Sequence, residues 1–424
     1  MREIPLSVPN LNIETADNLR KCAETGWVST GGDFIPMFEE KVAAYVGVSD
    51  AVACQSGTAG LHVALRLLGV GAGDEVIAPT LTFIAAVNPI RYLGAEPVFM
   101  DCDDSLCLDP VKLERFCREE CHLEDGNLIN NDTDRIVKAV VPVHVFGNLA
   151  DMEAIADTAA RYGLKVLEDA TEAMGSFFAQ GRYAGRHAGT VGDLGVFSFN
   201  ANKIITTGGG GMIVAGESPS AESYTRQARY LTTTARDDEF FFVHDAVGYN
   251  YRMLNIQAAL GVSQIDELED FVAIKRNNFA VYEECLRDAP QMRLLPFREG
   301  IRANKGCYSL LIEDEIESPH ISGADGYSDA TQCDVRDARG ISMSDPAGNR
   351  RDRLMKSMIA EGIQCRPVWK LIHTQKPYAE ARAYDIDKAR YYEKHVMNIP
   401  CSTSLTEDDV RFVCDSIMKF SRSL

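Results

Sequence analysis

The sequence lacks the features that mark several classes of protein. None of its 12 cysteines forms a Cys-x-x-Cys pair, and their scattered spacing indicates reduced thiols rather than a disulfide framework. No apolar run approaches the ~18 residues needed to span a bilayer, and the N-terminus lacks the apolar stretch of a signal peptide. We therefore expect a cytoplasmic protein without membrane contact, and we predict no metal site.

Positive charge is also scarce. The chain has 43 Lys and Arg residues against 62 Asp and Glu residues, which gives a formal net charge of −19 at pH 7. A field of this sign repels nucleic acid and anionic membranes, so we expect no nucleic-acid partner, and any bound anion needs a local, preorganised pocket. The 424 residues, 46% of them hydrophobic, are enough for a large core without disulfides or metals.

Strand and helix patterns alternate through the first half of the chain. Apolar strands are predicted at 51–54, 75–78, 97–100 and 136–141, with helical segments between them. Strands that are apolar almost throughout are typical of a parallel sheet covered on both faces. The pattern predicts an α/β fold, with a large domain over residues 1–250.

The second half of the chain has a different character. A long helix is predicted at 255–287 and another at 407–420, the latter with Thr406 as its cap. Residues 313–349 are rich in Gly, Ser and Asp and have almost no apolar periodicity, which predicts a mobile surface insertion. We expect residues 251–424 to form a smaller α+β domain that carries this insertion.

The segment Ser56-Gly57-Thr58-Ala59-Gly60 opens a helix directly after a strand. Its small residues let the backbone approach an anion, and the first free N–H groups of the helix, together with its dipole, favour a phosphate. An ordinary Ser/Thr helix cap would explain the same residues. The motif alone therefore leaves both interpretations open.

An acid and a lysine follow two later strands. Asp169 lies where the apolar strand 165–168 ends, and ligands of open α/β sheets bind beyond the carboxyl ends of strands. A carboxylate there could hold a protonated ring nitrogen or cap the next segment. Lys203 lies between an apolar strand at 196–199 and the glycines at 208–211, and such surroundings disfavour a charged amine, as a Schiff-base nucleophile requires. The alternative for Lys203 is an ordinary solvated lysine. The glycines favour a tight turn between strands over a dinucleotide loop, because the spaced Gly-x-Gly-x-x-Gly pattern is absent.

Together these three features provide what pyridoxal 5′-phosphate (PLP) needs, namely a phosphate anchor, an anion at the ring nitrogen and an amine for the aldehyde. Over nearly its whole length the chain resembles the fold-type-I sugar aminotransferases of the DegT/StrS family. The segments that carry the resemblance are residues 56–59, Glu168-Asp169-Ala170-Thr171-Glu172-Ala173, residues 198–211, Gly248-Tyr249-Asn250-Tyr251-Arg252-Met253 and Cys365-Arg366-Pro367-Val368-Trp369.

The resemblance implies PLP-dependent transferase fold type I, a mostly parallel sheet covered by helices, and it implies roles for single residues. Lys203 matches the Schiff-base lysine and Asp169 the partner of the pyridine nitrogen, so these two are the expected catalytic residues. Asn250 matches an asparagine that reaches the phosphate from the neighbouring subunit, which implies a homodimer with shared active sites. The remaining expected cofactor-binding residues are the phosphate ligands Gly57, Thr58 and Ser198, with Ala59 in the same helix start, Phe83 beside the ring, and Glu172.

Three side chains are expected to bind substrate. Glu172 lies three residues after the acid, where many family members have a neutral or imidazole side chain near the 3-oxygen of the cofactor. A carboxylate beside a phenolate is unfavourable unless one of them is protonated, so we expect Glu172 to point elsewhere, toward the amino donor or the sugar. Trp369 and His373 lie in the stretch that resembles the sugar-binding region of the family, although a stacked core Trp would also explain the first of them.

The implied reaction moves an amino group from L-glutamate to C4 of a nucleotide-linked 4-keto-6-deoxy sugar by a ping-pong mechanism. The sugar would be a UDP- or GDP-linked N-acetylated hexosamine derivative. Three stretches, 26–29, 230–233 and 202–211, are most similar to the aminotransferases of legionaminic-acid and related nonulosonate pathways, which would place the protein in the biosynthesis of cell-surface polysaccharides.

Other functions are open at this point. A PLP- or PMP-dependent sugar dehydratase is disfavoured, because relatives limited to that chemistry usually replace the lysine with histidine, whereas Lys203 is present. A non-catalytic regulatory protein on the same fold is a second alternative. A nicotinamide oxidoreductase is disfavoured because no dinucleotide fingerprint follows the first strand.

Overall fold

The structure is a computed structural model that describes residues 2–238, 240–313 and 349–422. Apart from its two end residues, the insertion predicted at 313–349 lies outside the described residues. The helices are α1 (Ile13–Thr25), α2 (Phe34–Val46), α3 (Gly57–Leu67), α4 (Asn88–Tyr92), α5 (Pro110–Glu119), α6 (Met152–Tyr162), α7 (Ala221–Thr232), α8 (Asn255–Gln264), α9 (Leu268–Cys285), α10 (Arg350–Ala360), α11 (Lys388–His395) and α12 (Glu407–Ser421), with 3₁₀ turns at Ile84–Ala86, Val145–Gly147, Ile372–Thr374 and Lys376–Tyr378. The strands are β1 (Ala51–Cys54), β2 (Glu75–Pro79), β3 (Glu96–Met100), β4 (Cys121–Glu124), β5 (Asn127–Asn130), β6 (Arg135–Val140), β7 (Lys165–Asp169), β8 (Phe177–Phe178), β9 (Leu194–Ser198), β10 (Gly211–Ala215), β11 (Met292–Leu294), β12 (Ile301–Arg302), β13 (Tyr308–Ile312), β14 (Arg366–Pro367), β15 (Ala383–Tyr384) and β16 (Val396–Ile399).

In the part of the chain that the structure describes, a ten-stranded sheet forms the centre of the molecule. Its main path runs β1-β10-β9-β7-β6-β2-β3-β15, and the β4–β5 hairpin extends from β6. Every neighbouring pair from β9 to β15 is parallel, whereas β1 and β10 are antiparallel to their neighbours. The α/β fold with a mostly parallel sheet is therefore confirmed.

Helix α3 packs closely on this sheet and begins where the sequence predicts. The hydroxyl of Ser56 accepts a hydrogen bond from the N–H of Ala59 at 3.1 Å and so caps the helix. Gly60 faces the sheet, and a Cβ there would lie 2.8 Å from Cγ1 of Val196 and 3.2 Å from Sγ of Cys54. A side chain at this position would push the helix away from the strands that position its N-terminus.

A second, smaller sheet has the strand order β11-β13-β16-β14. Its strands share a hydrophobic core with α9, α10 and α12, and the largest members of that core include Phe279, Tyr282 and Tyr308. The predicted division into residues 1–250 and 251–424 stays a prediction. Helix α8 lies in the second of these ranges, but it packs on α1 and α2 and contributes Ala258 and Val262 to the core of the large sheet. No helix within the described ranges has both the length and the apolarity that crossing a bilayer requires.

The long helix predicted at 255–287 is wrong in one respect, because it is two helices, α8 and α9, separated at residues 265–267. The side chain of Gln264 turns away from the helix axis: its amide accepts from the N–H of Thr206 at 3.0 Å and donates to the carbonyl of Thr206 at 2.6 Å. The same amide also donates to the carbonyl of Leu260, four residues earlier, and so competes with the backbone N–H groups of the helix for this acceptor. The interruption follows the tertiary contact with Thr206, and residues 265–267 include neither Gly nor Pro.

Candidate active site

A cavity of about 880 Å³ lies at the carboxyl ends of the parallel strands. Thr82 after β2, Val143 after β6, Asp169 at the end of β7 and Ser198 at the end of β9 line one side of it. Residues of β14 and of the segment that follows it line another side. The site therefore lies where ligands of open α/β sheets usually bind, between the large sheet and the smaller one.

One end of the cavity is formed by the start of α3. Ser56, Gly57 and Thr58 line it, and Ser198 faces them from the end of β9. A Cβ on Gly57 would lie 3.0 Å from Cβ of Ser198 and 3.1 Å from Cγ2 of Thr171, so the three residues are packed together. The first N–H groups of a helix have no intrahelical acceptor. With two hydroxyls beside them, they form a suitable anchor for a phosphate.

Asp169 lies at the base of the cavity and is 2% exposed. One carboxylate oxygen accepts from the N–H of Thr171 at 3.1 Å. Burial raises the pKa of Asp169 above its ordinary value of 3.8, while hydrogen bonds with Thr171 and the positive charge of Lys203 oppose the shift. A buried carboxylate of this kind is stabilised by a cationic partner, which a protonated pyridine nitrogen would supply.

Lys203 lies in the connection between β9 and β10, and its amine faces the cavity. Its Nζ donates to Oε1 of Glu172 at 2.8 Å, and both side chains are about 15% exposed. The other carboxylate oxygen of Glu172 accepts from the N–H of Phe146 at 2.9 Å. The carboxylate therefore faces the lysine that is expected to bind the cofactor, and its expected orientation toward the amino donor or the sugar stays a prediction. Opposite charges attract strongly in a partly desolvated cavity.

Two aromatic side chains of the predicted set line the cavity. Phe83 is 57% exposed, so it does not belong to the hydrophobic core. Trp369 packs against Phe146 in a tilted arrangement, with ring centroids 4.6 Å apart and planes inclined by 31°. Because Trp369 also lines the cavity, it is available to a ligand.

Three residues of the predicted site do not line the cavity. Ala59 is a buried helix residue whose N–H is used by the cap of α3. His373 lies with Nδ1 2.6 Å from Oγ1 of Thr80 and Nε2 3.3 Å from a guanidinium nitrogen of Arg390. Asn250 is exposed, and its contact with a neighbouring subunit stays a prediction.

Some cavity residues were not found from the sequence. Arg351, Arg366 and Lys370, which we call the basic rim, line the cavity beside Glu393, and Arg366 and Lys370 are exposed. Lys370 pairs with Glu393 at 3.3 Å. Arg366 lies in a segment that the resemblance had already singled out, but its charge was not interpreted. In a chain with a net charge of −19, a basic rim is a local exception that suits an anionic ligand.

The donor set of the cavity fits PLP. It combines one amine at Lys203, one buried carboxylate at Asp169, a helix start with the hydroxyls of Thr58 and Ser198, and the exposed ring of Phe83. These groups match the aldehyde, the ring nitrogen, the phosphate and the face of the ring, respectively.

Comparisons with known proteins identify the family of the chain. The model of the DegT/DnrJ/EryC1/StrS aminotransferase family matches residues 9–321 and 333–418. The chain is 36% identical over 408 residues to the GDP-perosamine synthase of Caulobacter vibrioides, across 96% of this chain and 95% of the relative. It is 31% identical over 429 residues to the GDP-perosamine synthase of Escherichia coli O157:H7, across 99% of both chains. The crystal structure of the aminotransferase TlmJ from Streptoalloteichus hindustanus has the same fold, with a TM-score of 0.81 over 100% of both chains at 24% identity.

The family match covers most of the chain, and both relatives match over nearly their full length. The expected enzyme class and cofactor are therefore confirmed. The chain belongs to the DegT/DnrJ/EryC1/StrS family of PLP-dependent aminotransferases.

Proposed function

We propose that the protein transfers the amino group of L-glutamate to C4 of a nucleotide-linked 4-keto-6-deoxy sugar. The observation that carries the proposal is that one cavity contains Lys203, the buried Asp169 and the basic rim. The first two suit amino transfer, and the rim suits a substrate that carries a diphosphate. Glutamate donation and the position of amination come from the resemblance described above.

Each residue has a defined role in the proposed reaction. Bound PLP supplies an electron sink that stabilises negative charge on the carbon from which a proton is removed. Asp169 keeps the pyridine nitrogen protonated. Lys203 Nζ takes a proton from the donor Cα, and in the second half-reaction it returns a proton to the sugar carbon. Glu172 orients the amine through its 2.8 Å contact and is held by the N–H of Phe146.

The basic rim and the names of the relatives bear on the nucleotide. Arg366 makes no ion pair within the described part of the chain, and its guanidinium could form two parallel hydrogen bonds with a phosphate. Two relatives are named GDP-perosamine synthase, which favours a GDP-linked sugar over a UDP-linked one. The narrower nonulosonate assignment is supported only by the three sequence stretches named above, so we keep it as the second candidate.

The expected dimer belongs to the same proposal. Asn250 would reach the phosphate of the neighbouring subunit, and its exposure in the single chain is compatible with such a contact. Cytoplasmic location and a place in polysaccharide biosynthesis also stay predictions.

The test is incubation of the PLP-loaded protein with L-glutamate and a panel of GDP- and UDP-linked 4-keto sugars, followed by mass spectrometry. We expect a product in which an amino group has replaced the keto oxygen, formed with the GDP-linked sugar. Amination of UDP-linked N-acetylated sugars alone would favour the nonulosonate candidate. Loss of water without gain of nitrogen would indicate a dehydratase. If glutamate leaves the visible absorbance of the cofactor unchanged, the protein is not a transaminase.

A further inference from the structure

Two thiols lie side by side on the wall of the cavity, at one end of the two central strands of the smaller sheet. The sulfurs of Cys307 and Cys401 are 3.9 Å apart. Cys307 directly precedes β13, and Cys401 follows β16, the strand paired with β13. Cys307 is half-buried and Cys401 is 1% exposed, and both line the cavity. A small oxidant that enters the cavity can therefore reach this pair.

A buried lysine fixes the two chain segments beside the thiols. Lys275 is 2% exposed, and its amine donates to the carbonyl of Cys401 at 2.6 Å and to that of Gly306 at 3.0 Å. The hydrogen bond with Cys307, together with the positive charge of Lys275, lowers the pKa of the Cys401 thiol. A thiolate is the reactive form toward oxidants, and nearby cations favour it.

The pair is connected to the reactive lysine by a short series of contacts. The N–H of Cys307 donates to the carbonyl of Phe146 at 3.3 Å, and the N–H of Phe146 donates to Glu172 at 2.9 Å. Glu172 in turn accepts from Lys203 at 2.8 Å. A displacement of Cys307 would therefore shift the group that holds the Lys203 amine.

We propose that Cys307 and Cys401 are a redox modification site, which a peroxide converts into a disulfide, and that this disulfide slows the reaction at Lys203. A disulfide brings the sulfurs from 3.9 Å to about 2.05 Å, which turns both side chains and draws the segments that carry them toward each other. Since displacements of about 1 Å in an active site can lower a rate strongly, the modified enzyme is slow. A labile disulfide of this kind is compatible with otherwise reduced thiols.

The chemistry proceeds in two balanced steps. The Cys401 thiolate attacks one oxygen of hydrogen peroxide, the O–O bond breaks, and the departing hydroxide takes up a proton and leaves as water. The Cys307 sulfur then attacks the S–OH group of Cys401, an S–S bond forms, and the second oxygen leaves as water. Two thiols are oxidised and one peroxide is reduced to two waters.

The test uses the PLP-loaded protein treated with hydrogen peroxide, alkylated, digested without reductant and mapped by mass spectrometry. We expect a cross-linked peptide pair that contains Cys307 and Cys401, and a loss of aminotransferase activity of about tenfold or more that dithiothreitol reverses. The cross-link is detected without turnover, so a failure of the proposed sugar substrate would leave this measurement intact.

Variants sharpen the test, with each compared before and after peroxide. Cys307→Ser should accumulate a sulfenic acid at Cys401, labelled by dimedone, in place of the cross-link. Cys401→Ser should lose no activity on treatment. Cys414→Ser is the matched control, because Cys414 and its neighbour Cys285 lie outside the cavity, and it should cross-link as the wild type does. Absence of the 307–401 peptide in the wild type, a cross-link without loss of activity, or an equal loss in Cys401→Ser would overturn the proposal.

Discussion

The amine of Lys203 and the carboxylate of Glu172 form an ion pair of 2.8 Å inside the cavity. Glu172 is held from its other side by the N–H of Phe146, so its position does not depend on the lysine alone. Any group that draws the amine away from this position must give up the contact with Glu172. Attachment of PLP to Lys203 would therefore compete with the ion pair.

Glu172→Gln should accelerate the reaction of added PLP with Lys203. The amide keeps the size of the side chain and an acceptor for Phe146, but it removes the negative charge that attracts the amine. We expect a roughly fivefold faster appearance of the visible cofactor band, since loss of the charge weakens such a hydrogen bond by about 1 kcal/mol. Glu393→Gln, in the same cavity beside Lys370, is the control and should be unchanged. Equal rates for Glu172→Gln and the wild type would show that the pair does not restrain the lysine.

Lys203→Ala should lower turnover at least about 10³-fold, because it removes both the covalent attachment and the proton transfer. Borohydride reduction of the wild type, followed by peptide mapping, should place the cofactor on Lys203. Lys203→Arg keeps the positive charge beside Glu172 and should be as inactive as Lys203→Ala. Transamination retained in either variant would refute the assignment.

Asp169→Asn should retain some cofactor but lose activity by about 10²-fold, as expected when a charge that stabilises the transition state is removed. The protein without cofactor should respond differently. Because burial raises the pKa of Asp169, its ionised form is disfavoured in the folded state, and the neutral amide should leave the melting temperature unchanged or higher. Calorimetry with and without PLP separates the two effects. A variant with wild-type rates would show that Asp169 does not act on the ring nitrogen.

The sequence predicted the parts of the site that depend on position along the chain. Asp169 and Ser198 end neighbouring parallel strands, β7 and β9, and such ends meet at one edge of a sheet. Gly57 follows a strand and begins a capped helix, which is a local pattern. For these residues, the position at the end of a strand or at the start of a helix was enough to predict that they line the cavity.

Features that depend on contacts between distant segments were not predicted. Glu172 accepts a hydrogen bond from the N–H of Phe146, and Gln264 at the end of α8 pairs with Thr206. His373 was expected at the sugar, but its ring lies against Thr80. No spacing in the sequence indicates which rotamer or which distant partner a side chain adopts.

A buried pair beside the site should control stability at low pH. Nδ1 of His144 accepts from the N–H of Ala150 at 3.2 Å, so Nε2 carries the proton and donates to Glu168 at 2.8 Å. Burial opposes ionisation of Glu168, but the hydrogen bonds from His144 and from the N–H groups of Gly192 and Gly189 prevail, and its pKa lies below the ordinary value of 4.5.

A lowered carboxyl pKa stabilises the fold above the unfolded value, and this contribution is lost as the pH falls through the folded value. Glu168→Gln should therefore reduce the free energy of unfolding by roughly 3 kcal/mol at neutral pH. The difference from the wild type should shrink below pH 4.5, where the wild type loses the same contribution. Denaturant unfolding at several pH values measures this, and a difference independent of pH would contradict the assigned charge state.

Gly57→Ala should weaken PLP binding, because the added methyl displaces the segments that would hold the phosphate. The added methyl would lie 3.0 Å from Cβ of Ser198 and 3.1 Å from Cγ2 of Thr171, which is closer than ordinary contact. Relief of this contact must move the start of α3 or the end of β9, the two segments that would hold the phosphate. Overpacking of this kind costs about 1–3 kcal/mol, which corresponds to roughly a tenfold or larger rise in the Kd for PLP if the strain is relieved at the site. Gly71→Ala is the matched control, because no atom lies within 4 Å of its added Cβ. Fluorescence titration with PLP should show weaker binding in the first variant alone, and equal Kd values would argue against a phosphate at the start of α3.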